Sequence, residues 1–234
     1  MDIADKIQLR ISYIIRVALL IAFFFAIFTG HWLNIFLAGT AFYFSFLPAI
    51  IEKNYKVSLP TELEFLCVIF IFCSLYLGEI QDYYVRFWWW DIVVHGSSGV
   101  LLGILGFLLV YILNKEKSTR IHMDTIFIGI FSFVFAVAIG ALWEIFEFGV
   151  DNIFGANMQR ASLEDTMWDL ILDSLGAFLA SLGGYYYLKG GENHFFNRIF
   201  RKFIEKNPKI FDPEMWKKWR KDLWEKKIRL QKRR

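Results

Sequence analysis

Long apolar runs constrain this chain most, because each has the length at which an α-helix crosses a lipid bilayer. A spanning helix needs about 20 predominantly apolar residues, and the 234-residue sequence contains six such runs. Hydrophobic residues make up 56% of the chain, above the roughly 45–50% apolar content of soluble domains. We therefore predict an all-α polytopic membrane helix bundle. The six predicted spans cover residues 11–29, 32–51, 63–80, 91–113, 125–150 and 165–188.

The charges outside these runs predict the orientation of the bundle. Residues 190–234 carry 15 Lys and Arg against 6 Asp and Glu, whereas residues 1–189 carry 11 against 17. The other basic residues are concentrated before the first span and in the loops after the second and fourth spans. Because cytoplasmic segments are enriched in Lys and Arg, we expect both termini in the cytoplasm of a multi-pass protein of the cell (plasma or inner) membrane. The expected domains are a six-helix transmembrane domain, residues 1–189, and a cytoplasmic basic amphipathic tail, residues 190–234.

Three aspartates four residues apart mark one face of the sixth predicted span. Asp165, Asp169 and Asp173 lie at positions i, i+4 and i+8 of an otherwise apolar run, so an α-helix presents them on the same side. A charge near the bilayer centre costs at least about 2.5 kcal/mol, so this face has to meet protein, water or a metal. Ser162 precedes the acids with the spacing of a capping box, which gives Asp165 a structural explanation that Asp169 and Asp173 lack.

Two further spans bring polar side chains to the same predicted level of the membrane. Asp91 and His95 are one turn apart at the start of the fourth span. Glu144 and Glu147 form a stripe at the end of the fifth span, and Asp151 continues it. In the predicted orientation all these groups lie in the outer half of the membrane or at its outer surface. The sequence therefore predicts one outward-facing polar site built from three spans.

The predicted site holds more negative charge than can remain uncompensated. Seven carboxylates converge there and Arg160 is the only arginine nearby, while close like charges and burial both disfavour ionisation. A divalent cation would relieve the repulsion; Mg²⁺, Mn²⁺ and Ca²⁺ prefer oxygen ligands, and Zn²⁺ could bind through the histidine. The candidate metal ligands are Asp91, His95, Glu144, Glu147, Asp169 and Asp173. His95 and Glu147 are the candidate catalytic groups, as general base or acid. The other members of the polar site are Asp151, Arg160 and Asp165.

Two other arrangements account for the same residues. Protonated acids in a hydrogen-bonded chain would carry protons or ions through a transporter. Alternatively, the acids bond to Arg160, Asn152, Gln159, Ser98 and backbone groups and hold the helices together. Three functions follow. They are a metal-dependent enzyme acting on a lipid or lipid-linked substrate at the outer leaflet, a proton- or ion-coupled transporter, and a structural or partner-binding membrane protein.

The order and spacing of the motifs resemble a known family. The likeness rests on Trp90-Asp91-x3-His95-x3-Gly99, Trp143-Glu144-x2-Glu147 and Asp165-Thr-x2-Asp169-Leu-x2-Asp173-x2-Gly176-Ala. Over about residues 40–190 the chain resembles the YjdF-like inner-membrane proteins, which implies a multi-pass membrane protein and no particular reaction. More distantly it is similar to the VanZ-like family. Arg160 and Asp169 match, more loosely, an Arg…Asp…Gly pattern of that family. Members of that family are linked to glycopeptide-antibiotic tolerance.

The tail combines aromatic and basic residues with a helical period. Apolar and basic side chains alternate between residues 194 and 204, and Trp216, Trp219 and Leu223 continue an apolar face beyond Pro208. This pattern is typical of a helix that lies on an anionic membrane surface. We therefore expect membrane lipids as partners, with anionic headgroups at the tail, and no nucleic acid. The alternative is a solvated, partly disordered basic tail.

Overall fold

The chain folds into helices throughout the part that the structure describes. A computed structural model describes residues 3–115, 123–160, 162–190, 194–208 and 221. The helices are α1 (Ile3–Thr29), α2 (Trp32–Phe44), α3 (Leu47–Tyr55), α4 (Thr61–Ile71, continued by a π-helix over Phe72–Ile80), α5 (Tyr83–Arg86), α6 (Trp90–Lys115), α7 (Thr125–Phe154), α8 (Leu163–Leu188) and α9 (His194–Lys206). No strand occurs in those ranges, so the all-α prediction is confirmed.

Several of the helices are long and apolar enough to cross a membrane. In the described ranges these are α1, α4 with its π-helix, α6 and α7, and the bent pair α2 and α3 raises the number from four to five. Helix α8 has 26 residues but is not among them, since acidic residues occupy much of its first half. The predicted membrane bundle is thus supported with four or five spans, and α8 as a sixth span stays a prediction.

The second predicted span is not one straight helix. Helix α2 ends at Phe44, α3 starts at Leu47, and the two axes differ by 41°. Pro48 lies in the first turn of α3, where no intrahelical hydrogen bond needs its N–H. In the middle of one continuous helix, the same proline would remove a hydrogen bond and its ring would clash with the preceding turn. The carbonyl of Ser45 at the break accepts a hydrogen bond from Arg16 Nη2 at 2.8 Å. Arg16 in α1 therefore holds the bend in place.

Helices α6 and α8 approach each other closely because glycines line their contact. A Cβ added at Gly99 would overlap the carbonyl oxygen of Asp173, and one added at Gly176 would overlap the carbonyl oxygen of Gly96. Small residues at such crossings let two membrane helices pack backbone against backbone. This close contact brings the polar side chains at the start of α6 within reach of the acids of α8.

Helix α9 packs against the bundle by its apolar face. Phe200 and Phe203 of this helix are fully buried, and the Phe200 ring centroid lies 5.3 Å from that of Phe107 in α6. On its polar side, Lys202 donates a hydrogen bond of 2.7 Å to Asp5 of α1 and another to Glu62 of α4. This differs from the sequence interpretation, in which the apolar face of this segment lies on the membrane surface; the same amphipathic pattern serves either partner.

The rest of the predicted tail helix falls outside the described residues. Trp216, Trp219 and Leu223 all belong to that part of the chain. Residues 209–220 and 222–234 are therefore described by sequence only, and the domain division near residue 189 stays a prediction.

Candidate carboxylate and histidine site

His95 lies between carboxylates from two helices. Its Nε2 atom is 3.5 Å from Asp91 Oδ1 in α6 and 3.7 Å from Asp169 Oδ1 in α8. Its Nδ1 atom is 3.6 Å from Asp173 Oδ2, also in α8. His95, Asp169 and Asp173 are only 6%, 4% and 2% exposed. The two i, i+4 pairs seen in the sequence thus face each other across the α6–α8 contact.

Asp173 of α8 is bonded by a side chain of α6 and lies against α7. The Ser98 hydroxyl donates a hydrogen bond to Asp173 Oδ1 and is also 2.8 Å from the His95 carbonyl oxygen. A Cβ added at Gly140 of α7 would lie 2.6 Å from Asp173 Oδ2, so the glycine leaves the room that this carboxylate occupies. In contrast, His95 Nδ1 has no hydrogen-bond partner within the described part of the chain, because 3.6 Å exceeds a normal hydrogen-bond length.

Arg160 lies at the partly exposed end of the cluster. Its guanidinium lies 3.3 Å from Asp91 Oδ2 and 3.2 Å from Asp165 Oδ1, and Nη2 donates a hydrogen bond of 2.8 Å to the Tyr84 carbonyl oxygen. Its backbone φ of +49° is in the left-handed region, which is uncommon for a residue with a side chain. The chain between α7 and α8 is therefore held in a turn that directs this cation towards the acids.

Two of the predicted site residues have clear roles in the backbone around the site. The Asp165 N–H donates to Ser162 Oγ at 3.3 Å, which is the predicted cap at the start of α8. The Asp151 carboxylate accepts hydrogen bonds from the N–H groups of Met158 at 2.7 Å and Gln159 at 3.0 Å. Asp151 therefore shapes the connection between α7 and α8, and Asp165 both caps α8 and pairs with Arg160.

Glu144 and Glu147 are buried in α7 beside the cluster but bond to other partners. Gln159 Nε2 contacts Glu144 Oε2 at 3.4 Å and Thr166 Oγ1 at 3.1 Å. The Trp143 indole N–H donates to Glu147 Oε1 at 2.8 Å. Glu144 Oε1 lacks a hydrogen-bond partner within the described residues. The Gln159 contacts connect α7 to the start of α8, and the Trp143 bond lies within α7.

The structure brings three of the six predicted metal ligands into one group. Potential ligand atoms of Asp91, His95 and Asp169 all lie within 4.8 Å of one another. Asp173 faces the other nitrogen of His95, and Glu144 and Glu147 are outside this group. The wider ligand set was predicted because helical spacing defines which residues share a face, whereas the distance between two faces depends on how the helices pack.

A cavity of 260 Å³ meets the polar cluster and extends away from it. His95, Ser98 and Asp173 form part of its wall, and most of the remaining lining is apolar. Tyr84 also lines the cavity; burial, together with nearby acids, raises the pKa of its hydroxyl well above the usual range, so the phenol stays neutral. The cavity has no signal in the sequence, because its apolar lining is divided among α2, α3, α4, α6 and α7, and α2 contributes only Phe44.

Comparison with known proteins assigns the chain to a family but to no reaction. An uncharacterized protein of Thermotoga maritima is 27% identical over 133 residues, which cover 57% of this chain and 67% of that relative. No solved structure matches the chain. The family described as "Predicted membrane protein (DUF2238)" matches residues 11–190, which agrees with the YjdF-like resemblance and with a multi-pass membrane location. The chain belongs to this DUF2238 family of predicted membrane proteins.

Proposed function

We propose that the site binds a divalent cation through Asp91, His95 and Asp169 and that the protein is a metal-dependent enzyme acting on a lipid or lipid-linked substrate. The observation that carries the proposal is the grouping of one nitrogen and two carboxylate ligands within 4.8 Å. The position of Asp173 supports it. A metal-bound histidine commonly directs its second ring nitrogen to a carboxylate, and Asp173 lies at that nitrogen.

The inferred orientation of the bundle would put this chemistry at the outer leaflet. We infer six spans, with α2 and α3 forming the second and α8 the sixth, and with both termini in the cytoplasm. The positive-inside distribution of Lys and Arg supports this topology. It puts the start of α6, the end of α7 and the start of α8 on the outer side. It also puts α9 on the cytoplasmic side, where residues 209–234 would be free to meet anionic headgroups.

The mixed ligand set favours cations that accept both nitrogen and oxygen. Carboxylates suit Mg²⁺, Ca²⁺ and Mn²⁺, and an imidazole suits Zn²⁺, so Mn²⁺ and Zn²⁺ are the first ions to test. Such a cation would polarise a bound phosphoryl or carbonyl oxygen or activate a water. With His95 serving as a ligand, Glu147 is the remaining candidate for the general base or acid. Its burial and its bond from Trp143 support a fixed position.

Metal titration of purified protein tests the proposal. Wild type should bind one Mn²⁺ by electron paramagnetic resonance, and Asp169→Asn should weaken that binding by at least about tenfold, because even outer-shell changes at metal sites cost 10–100-fold. Glu164→Gln is the matched control, since it removes an exposed carboxylate of the same helix and should bind like wild type. Equal affinities for all three proteins, or no bound metal in any of them, would count against the proposal.

A structural role is the second candidate, and Arg160 favours it. This guanidinium already compensates Asp91 and Asp165 at 3.3 and 3.2 Å, and a protonated His95 would compensate Asp169 and Asp173. In that case the double variant Asp169→Asn, Asp173→Asn would lower the thermal unfolding temperature without any metal present. A transporter has less support. It would need a route through the bundle below the site, and there α6 and α8 pack closely at Gly103 and Ala180.

A further inference from the structure

We propose that the 260 Å³ cavity binds one alkyl chain of a lipid whose headgroup lies at His95, Ser98 and Asp173. The chemistry of the headgroup rests on the proposed function, whereas the chain site rests on the cavity itself. The cavity has a polar end and an apolar body, and its polar end is the buried cluster. An amphiphile is the class of molecule that satisfies both parts at once.

Two irregular elements of the fold contribute to the walls of the apolar body. The π-helix contributes Ser74 and Leu75, and the α2–α3 bend contributes Phe44, Leu47 and Pro48. A π-helix widens the helical turn and is frequent at functional sites. Phe44 and Leu47 are 36% and 43% exposed, so the cavity is bounded on this side by side chains that also face the surface of the bundle. A chain in the bilayer can reach the cavity beside the bend.

The size of the cavity fits one chain. An apolar cavity of about 150 Å³ is enough to bind benzene, and drug-sized ligands occupy pockets of roughly 300–1,000 Å³. At 260 Å³ the space lies between these limits. It accommodates a length of a single alkyl or isoprenoid chain and excludes a second chain or a bulky ring system.

The carboxylates determine which headgroups bind. Asp91, Asp169 and Asp173 would repel a free anion, so a phosphate headgroup needs the bound cation between itself and these acids. A hydroxyl headgroup carries no charge and can donate to Asp173 or to the Ser98 hydroxyl oxygen without a metal. Probes with these two headgroups therefore distinguish binding of the alkyl chain from binding that requires the metal.

Photo-crosslinking with two probes tests the inference. The full-length protein in phospholipid nanodiscs is treated with decyl phosphate or decan-1-ol, each carrying a diazirine at the end of the chain, and the labelled peptides are mapped by mass spectrometry. We expect labels in α3 and in the π-helix Phe72–Ile80 for both probes. Decyl phosphate should need Mn²⁺ and lose its label in Asp169→Asn, whereas decan-1-ol should not.

A filled cavity provides the matched comparison. Leu102 of α6 lines the cavity. Leu102→Trp should reduce labelling by both probes by at least about tenfold, because the larger indole side chain would occupy the space of the alkyl chain and interiors do not tolerate overpacking. Leu109→Trp makes the same change at a 42% exposed position of α6 and should label like wild type. A thermal unfolding temperature close to that of wild type shows that Leu102→Trp is folded whether or not Mn²⁺ binds, and Ser74→Leu fills the cavity with a second, smaller side chain.

Each outcome bears on one of the two ideas. Labels of equal yield in wild type and both filled variants, or labels spread over the outer surface, overturn the chain site whatever the metal result. Cavity labelling by decan-1-ol that is lost in Leu102→Trp supports the chain site. If Mn²⁺ then binds nowhere, the proposed metal chemistry fails while the chain site stands.

Discussion

At the scale of single residues, His95 connects two sets of carboxylates that would otherwise repel each other. Its Nε2 atom faces Asp91 and Asp169, and its Nδ1 atom faces Asp173. If Nε2 binds the cation, Asp173 orients the ring from the other side, as outer-shell carboxylates do in metal sites. Asp173 is then a positioning residue, and the space around its carboxylate becomes as important as its charge.

The glycine at position 140 should therefore matter more than its lack of a side chain suggests. In Gly140→Ala the added methyl group would lie 2.6 Å from Asp173 Oδ2, so either the carboxylate or α7 must move. Overpacking of this kind costs about 1–3 kcal/mol. We expect weaker Mn²⁺ binding and a lower unfolding temperature. Gly149→Ala on the same helix is the control, since nothing lies within 4 Å of its added Cβ; equal behaviour of the two variants would contradict the prediction.

The sequence indicated which polar residues are unusual but not how far apart they lie. Asp169 and Asp173 were predicted to be site residues because an intramembrane charge needs a partner, and both are buried against His95. Glu144 and Glu147 followed from the same argument, yet Gln159 and Trp143 bond to them. The free-energy cost that identifies a buried acid is the same whether its partner is a metal, a histidine or an amide.

At the scale of elements, the α2–α3 bend and α9 show two further features that the sequence alone does not predict. Pro48 marks a position where a helix can break, but the hydropathy of residues 32–51 predicts one span. The Arg16 contact at the bend joins residues 29 positions apart in the sequence, so no local pattern indicates it. For α9, the amphipathic pattern was recognisable while its partner was not. The buried Phe200 and Phe203 show that protein covers this face.

The ion pairs of α9 should contribute to stability. Although desolvation acts in the opposite direction, hydrogen bonds to Asp5 and Glu62 raise the pKa of Lys202 above its usual range. The charged form is thus favoured by folding, so this stabilisation is present at neutral pH and is lost only as the pH rises through the pKa of the folded state. Lys202→Gln removes the ammonium group that bonds to Asp5 and Glu62, while Arg198 still pairs with Glu62 at 2.9 Å. Losing these charge-assisted bonds costs about 1–3 kcal/mol, measurable by thermal unfolding at pH 7.

The control for that variant lies one residue earlier. Arg201 pairs with Glu205 at 3.9 Å, and both side chains are more than half exposed. Exposed pairs contribute about 0–1 kcal/mol, so Arg201→Gln should unfold close to wild type. If the two variants unfold at the same temperature, α9 is not held by the Asp5 and Glu62 contacts.

At the scale of the whole molecule, charge separates the two ends of the bundle. The acids and Arg160 gather where α6 starts and α7 ends, whereas α9 and its basic residues contact the start of α1 and of α4. Helices that alternate in direction put these two ends on opposite sides of a membrane. The buried site and the basic tail would then face different compartments, and a substrate of the proposed enzyme would reach His95 from the outer leaflet.

Cysteine accessibility in intact bacterial cells tests this arrangement. In a background with Cys67 and Cys73 replaced by alanine, Leu163→Cys places a thiol at a 79% exposed position at the start of α8. Lys53→Cys places one on an exposed residue of α3. We expect a membrane-impermeant maleimide to label the first in intact cells and the second only after permeabilisation, because the six-span topology puts them on opposite sides. Labelling of both from the same side would contradict the three crossings between them, by α4 with its π-helix, α6 and α7, and with them the outward orientation of the site.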